Sequence, residues 1–195
     1  FKAMSKIEVE LRNQLEENIS AHKNILDMSK DISDVIQNIY KKLKKGGKIL
    51  FCGNGGSAAD AQHLAAEFIV RLRPHVNRNP IPALTLAQDT STLTACGNDY
   101  SFEDIFLRPF KAIAKKNDIL VCISTSGNSK NILKVLKEAK KNKIYSVCFL
   151  GNKGGKALNL CSKPLIISSK NTARIQECHI FLGHFILERI KYLII

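Results

Sequence analysis

The sequence predicts an α/β fold: a three-layer sandwich in which a five-stranded parallel sheet lies between two layers of helices. Short, continuously apolar runs alternate with helical segments from residue 48 onward. Continuous apolar runs are typical of strands buried on both faces, and strand–helix alternation is typical of parallel sheets with right-handed crossovers. The length of 195 residues fits one domain, so we expect residues 1–195 to form a single unit.

Each element follows from a local pattern. The apolar runs predict strands at 48–52, 82–87, 118–123, 144–149 and 164–168. Residues 5–45 predict two leading helices, which Gly46 and Gly47 end. Their apolar residues recur at helical spacing: Ile7, Leu11, Leu15, Ile19, Ile32, Val35, Ile36, Ile39 and Leu43. Because this pair lies outside the strand–helix alternation, we expect a homo-oligomer in which part of the stripe is buried between subunits.

Composition excludes several classes of protein. The net charge of +13 is carried by lysines on several predicted helices, and aromatic residues are only 7% with no Trp. We therefore expect a solvated basic surface rather than a nucleic-acid partner. The first predicted helix is charged, and the apolar stretch 181–195 is interrupted by charges, so neither a signal peptide nor a membrane span is expected. Six cysteines without a C-x-x-C motif favour buried thiols in the cytoplasm.

Two turns have the composition of a phosphate site. Gly53-Asn54-Gly55-Gly56-Ser57 and Ser124-Thr125-Ser126-Gly127-Asn128-Ser129 each connect an apolar strand to a helix. Unpaired N–H groups and the positive end of the helix dipole attract anions at such a helix start. Neither turn matches the P-loop or the dinucleotide motif, so Mg-nucleotide and NAD sites are disfavoured. Two such turns at the ends of parallel strands indicate a ligand in the crevice there.

Ionisable residues recur on two predicted helices. His63, Glu67 and Arg71 stack along one edge of the helix after the first turn, as either a metal-capable pair or an ordinary Glu–Arg salt bridge. The last helix, 175–195, is apolar on nearly every face, so Gln176, His179 and His184 within it need partners. They are either satisfied core residues or a second set of metal or proton-transfer groups.

The two turns, together with Arg174-Ile175-Gln176-Glu177, resemble the sugar isomerase (SIS) family of phosphosugar-binding proteins over essentially the whole chain. The resemblance implies an isomerase that converts sedoheptulose 7-phosphate into D-glycero-D-manno-heptose 7-phosphate by an enediol-type proton transfer, for lipopolysaccharide or capsule. A noncatalytic SIS-type binding protein, like the replication-initiator-associating proteins, is the alternative. Glu67 and His184 favour the enzyme, because that binding group lacks the acidic residue and the second histidine.

The resemblance also implies site residues, a cofactor and an assembly. Glu67 and His184 would be the acid/base pair, and one Zn²⁺ per subunit of a homotetramer would be bound by His63, Glu67, Gln176 and His184. Besides Glu67, the implied sugar-phosphate contacts are Asn54, Gly55, Gly56, Ser57, Asn98, Asp99, Ser124, Thr125, Ser126, Ser129 and Gln176. Ala173 departs from the pattern, because some members have Asp at this position.

Overall fold

A computed structural model describes residues 5–86 and 89–194. Its sheet has five parallel strands in the order β2-β1-β3-β4-β5, which confirms the predicted fold class. The strands are β1 (Ile49–Gly53), β2 (Ala83–Thr85), β3 (Ile119–Ser124), β4 (Tyr145–Gly151) and β5 (Lys163–Ile167). Their limits differ from the predicted ones by one or two residues, and predicted strand residue 87 lies outside the described residues.

Helices cover both faces of the sheet. They are α1 (Lys6–Lys23), α2 (Ser29–Leu43), α3 (Gly56–Ile69), α4 (Thr90–Asp99), α5 (Leu107–Ile113), α6 (Lys130–Lys141) and α7 (Thr172–Ile194), with 3₁₀ turns at Asn24–Met28, Phe102–Asp104 and Lys156–Asn159. One apolar core joins α2, α3 and α7 to one face of the sheet, and a second joins α4, α5 and α6 to the other. None of these helices, within the described ranges, is long and apolar enough to cross a lipid bilayer.

The two leading helices differ in burial. α1 begins with a capping box between Ser5 and Glu8, which supplies partners to otherwise unpaired N–H groups. Only Ala21 of α1 is buried, and Ile7 is 76% exposed. The stripe of α2, by contrast, is buried against the sheet and α7. Most of the apolar stripe of α1 is therefore left uncovered by the described part of the subunit.

The strand register defines two opposite ends of the sheet. Ile49 is aligned with Ile119, and Ile119 with Tyr145, so β1, β3 and β4 start at the same level. We call the end of the sheet bounded by connections 41–48, 111–118 and 137–144 the amino edge. The opposite end, where turns 53–57, 124–129 and 151–156 leave the strands, is the carboxyl edge.

Candidate active site

The first turn of the carboxyl edge is held by glycines and one amide pair. Gly55 has a φ of +58°, which glycine adopts without strain. A Cβ on Gly53 would lie 2.4 Å from the Ser57 carbonyl oxygen, so the chain reverses without room for a side chain. The Asn54 amide exchanges hydrogen bonds of 3.0 and 2.9 Å with Asn131 of α6. This pair links the first turn to the helix that follows the second.

The second turn contains four hydroxyl groups, those of Ser124, Thr125, Ser126 and Ser129. Ser124 Oγ accepts a hydrogen bond from the Gly127 N–H, and Ser126 Oγ accepts one from the Asn128 N–H. Both hydroxyl hydrogens remain free to donate to an anion. Ser129 precedes the first residue of α6, and its side chain makes no capping hydrogen bond. Thr125 lies between these serines and is partly exposed.

A third turn supports the second one from behind. The Gly127 carbonyl accepts a hydrogen bond from the Ala157 N–H at 2.9 Å, and Asn128 Oδ1 accepts one from the Lys156 N–H at 3.1 Å. A Cβ on Gly127 would lie 2.0 Å from the Gly154 carbonyl oxygen, so the two turns are in backbone contact. This third turn was not predicted from the sequence, although glycines directly after an apolar strand indicate a tight turn.

α3 and α7 bring the ionisable residues together. A Cβ on Gly183 would lie 2.4 Å from Leu64 Cδ1, so the absence of a side chain lets the two helices approach closely. At the neighbouring positions, His63 before Leu64 and His184 after Gly183, the two Nε2 atoms are 2.8 Å apart. Glu67 Oε1 lies 3.8 Å from His63 Nε2. The structure therefore gathers three of the predicted residues into one cluster.

The environment favours an uncharged His184. Burial lowers the pKa of His184, and the neighbouring His63 lowers it further, whereas Glu67 and Glu188 act in the opposite direction. A 2.8 Å contact between two imidazoles requires one nitrogen to donate and the other to accept. Arg78 donates a 2.7 Å hydrogen bond to the Glu67 carbonyl and thereby fixes the end of α3. A neutral imidazole and a carboxylate can exchange protons with a bound ligand.

Gln176 lies apart from this cluster. A Cβ on Gly56 would lie 2.6 Å from Gln176 Nε2, so Gln176 packs at the start of α3, next to the first turn. α7 is one continuous helix, and the eight residues from Gln176 to His184 span about 12 Å along its axis. Within one subunit, Gln176 therefore lies beside the first turn rather than with His63, Glu67 and His184.

The chemistry of the cluster fits zinc, but its spacing is that of a hydrogen bond. Imidazole and carboxylate are common zinc ligands, and three protein ligands leave a tetrahedral position open. Two nitrogens on one zinc lie about 3.3 Å apart, since each Zn–N bond is about 2.0 Å. His63 and His184 would thus have to separate by about half an ångström. In their present positions, no three His, Cys, Asp or Glu side chains of the described ranges form a metal-binding group.

The other predicted residues lie outside the cluster of His63, Glu67 and His184. Asn98 and Asp99 end α4, are exposed, and make a 2.8 Å hydrogen bond with each other. No hydrogen bond within the described ranges connects either side chain to the two turns. Ser57 is buried in the first turn of α3. Ala173 is exposed, and its N–H donates to Asn171 Oδ1.

Three buried or half-buried polar residues, Asn131, His179 and Asp60, were not among the predicted site residues. Asn131 continues the apolar stripe of α6, a position that signals a buried polar group. His179 is fully buried and makes a 3.0 Å hydrogen bond from Nε2 to the Leu150 carbonyl at the end of β4. Burial lowers its pKa to about 4. Asp60, one turn before His63, has a pKa raised by burial, and its Oδ2 has no hydrogen-bond partner in the described part of the chain.

Known proteins share both the fold and the sequence. Residues 14–151 match the family model described as the SIS domain. A phosphoheptose isomerase of Campylobacter concisus is 48% identical over 184 residues, covering 92% of this chain and 94% of that protein. One of Clostridium acetobutylicum is 43% identical over 181 residues, covering 91% of each. The solved phosphoheptose isomerase of Neisseria gonorrhoeae is 35% identical with a TM-score of 0.89, covering 96% of this chain and 100% of that one. The chain belongs to the SIS domain family, in the group of the phosphoheptose isomerases.

Proposed function

We propose that this protein converts sedoheptulose 7-phosphate into D-glycero-D-manno-heptose 7-phosphate through an enediol. The observation that carries the proposal is the meeting of His63, Glu67 and His184 in a subunit that also has two helix starts suited to a phosphate. Relatives named phosphoheptose isomerase over nine-tenths of the chain support it. The same cluster argues against a noncatalytic binding protein, which needs no facing base and imidazole.

The phosphate binds at turn 124–129. The hydroxyls of Ser124, Thr125, Ser126 and Ser129 and the first N–H groups of α6 supply its donors, and the helix dipole favours its charge. Asn54, Gly55, Gly56, Ser57 and Gln176 line the neighbouring turn and contact the sugar. Asn98 and Asp99 contact it from the end of α4.

The proton transfer uses Glu67 and His184. Glu67 removes the proton from the carbon beside the carbonyl, and His184 exchanges a proton with the sugar oxygens as the enediol forms and collapses. His63 orients His184 through the 2.8 Å contact between their Nε2 atoms. The reverse assignment, with His184 as base, is distinguished by solvent-proton exchange of the substrate in Glu67→Gln and His184→Gln.

A zinc ion would be held by His63, Glu67 and His184, whereas Gln176, the fourth predicted ligand, lies about 12 Å along α7 from His184. When bound, it supplies Lewis-acid polarisation of the sugar oxygens. The test is the zinc content of protein purified without chelator, compared with His63→Ala. Equal zinc in both proteins would exclude this site, whatever their activities.

The active enzyme is a homo-oligomer, for which we propose a tetramer. Ile7, Leu11 and Leu15 of α1 are more than half exposed, and an apolar cleft of about 340 Å³ lies between α2 and α7. Contact between subunits would cover this surface and bring further residues to the site. Sedimentation of a fully active monomer would contradict the proposal.

We place the reaction in the cytoplasm, where its product supplies heptose for lipopolysaccharide or capsule. All six cysteines are free thiols, and five of them are buried, as suits a reducing compartment. The decisive experiment is turnover of sedoheptulose 7-phosphate with and without a chelator, with unphosphorylated sedoheptulose as control. We expect turnover of the phosphate ester alone. Binding of the ester without turnover, in protein loaded with zinc, would favour the noncatalytic alternative.

A further inference from the structure

The lysines of this chain are concentrated at the amino edge of the sheet. Connections 41–48, 111–118 and 137–144 contain twelve of the thirty Lys and Arg residues, and ten of these lysines are exposed. The exposed ones are Lys41, Lys44, Lys45, Lys111, Lys115, Lys116, Lys137, Lys140, Lys141 and Lys143. The same connections contain only two acidic residues, Asp118 and Glu138, and Asp118 is paired with Lys48.

The three connections form one surface. Asn117 Nδ2 donates to the Lys45 carbonyl at 3.1 Å, and Lys48 Nζ donates to both Asp118 Oδ2 and the Ile113 carbonyl. A Cβ on Gly47 would lie 2.1 Å from the Asn117 carbonyl oxygen, so the first two connections are in backbone contact. A cleft of about 500 Å³, lined by Lys111, Lys115, Lys116 and Lys143, joins the second to the third. These contacts hold the lysine backbones in a fixed arrangement.

The surface extends in two dimensions. Lys41 in the last turn of α2, and Lys44 and Lys45 just after it, belong to one face of the sheet. The other exposed lysines belong to α5, α6 and the connections after them on the opposite face. A single-stranded nucleic acid requires a groove with aromatic side chains for stacking, and the three connections contain no aromatic residue. They also contain no arginine, the residue suited to bidentate recognition of phosphates and guanines. A broad patch of lysine point charges instead matches a planar anionic surface.

We propose that the amino edge binds electrostatically to the surface of an anionic lipid bilayer. Each lysine close to such a surface adds attraction, and no apolar insertion is needed. The carboxyl edge lies at the opposite end of the strands, so the crevice remains open to a dissolved substrate while the amino edge is bound. The inference depends on charge placement and does not require the isomerase activity.

The test is co-sedimentation of the protein with vesicles of phosphatidylglycerol and phosphatidylcholine at about 3:7, and with vesicles of phosphatidylcholine alone. The edge variant, Lys44→Glu/Lys115→Glu/Lys141→Glu, changes one exposed lysine in each connection. The control variant, Lys23→Glu/Lys30→Glu/Lys170→Glu, has the same net charge but changes exposed lysines elsewhere. Circular dichroism and thermal unfolding verify that both variants are folded.

We expect binding to the anionic vesicles only, and loss of binding in about 0.5 M salt, where screening is short-ranged. The edge variant should bind at least about 100-fold more weakly, because three lysines are replaced, and the control variant should bind almost as the wild type does. Absence of binding to anionic vesicles, or equal loss in both variants, would overturn the proposal. Tighter binding of a short DNA duplex than of vesicles through the same lysines would replace the bilayer with nucleic acid.

Discussion

At the carboxyl edge of the sheet, the strands end in glycine, serine and asparagine turns that leave hydroxyl and backbone donors free. At the amino edge, the same strands begin after lysine-rich connections tied by the ion pair between the half-buried Lys48 and the buried Asp118. β1 and β3 are linked at both edges, by Asn54 with Asn131 at one and by Lys48 with Asp118 at the other. One parallel sheet thus separates turns rich in hydroxyl and backbone donors from a surface rich in lysine.

The largest expected contrast is between two carboxylates. Glu67→Gln in the cluster with His63 and His184 should lower kcat at least about 100-fold, because the base is lost while the side-chain volume is kept. Asp118→Asn at the amino edge should leave kcat unchanged but lower the free energy of unfolding by about 2 kcal/mol. Asp118 is buried and accepts hydrogen bonds from the Lys48 and Lys115 N–H groups and from Lys48 Nζ.

Steady-state kinetics and denaturant unfolding of both variants measure this contrast. An Asp118→Asn enzyme that loses kcat as severely as Glu67→Gln would show that the Lys48–Asp118 pair and the catalytic cluster are not independent.

The second contrast concerns pH. His179 has a folded-state pKa of about 4, below the unfolded value of about 6.5, because burial disfavours its charged form. Its contribution to stability is complete above the unfolded pKa and is lost as the pH falls towards 4, since only the unfolded chain then binds the proton. Between pH 7 and 4.5 this loss amounts to about 2.5 kcal/mol.

Denaturant unfolding at both pH values tests the contribution of His179. The variant His179→Gln can still donate to the Leu150 carbonyl but does not titrate, so its stability should fall about 2.5 kcal/mol less than that of the wild type. His75→Gln, at an exposed position, is the control and should keep the wild-type pH dependence. Equal pH dependence in all three proteins would contradict the assignment.

The smallest contrast is between two pairs of serines. Ser126→Ala/Ser129→Ala removes two hydroxyls from the proposed phosphate turn and should raise KM about 30-fold, with kcat less affected. Ser146→Ala/Ser162→Ala removes two hydroxyls nearer the amino edge, where each Oγ accepts the other residue's N–H at 3.1 Å. This second variant should lose stability and keep its KM.

Substrate-saturation curves for the two double variants decide this point. An unchanged KM in Ser126→Ala/Ser129→Ala would place the phosphate elsewhere in the crevice.

Local patterns in the sequence were sufficient for the elements and the turns. The apolar runs predicted all five strands to within two residues, because a strand buried on both faces consists of consecutive apolar side chains. Gly55 and Gly127, both with positive φ, lie in the turns that composition selected. The three motifs, at 53–57, 124–129 and 174–177, were also sufficient to identify the family, which the relatives confirm.

Long-range packing decided what those patterns could not. Spacing alone left His63 and Glu67 as either a metal-capable pair or an exposed histidine beside a Glu67–Arg71 salt bridge. Only the approach of Gly183 to Leu64 brings His184 within 2.8 Å of His63. The same packing places Gln176 at the start of α3, away from that cluster.

The lysines show the same division between sequence and tertiary structure. In the sequence, each short lysine cluster indicates only the solvated end of one helix, because helical periodicity relates residues three or four positions apart. The strand order puts β1, β3 and β4 side by side, and their register aligns the points where they begin. The sequence by itself therefore determined the elements, the turns and the family. The tertiary structure decided which side chains meet, because meeting depends on contacts between residues far apart in the chain.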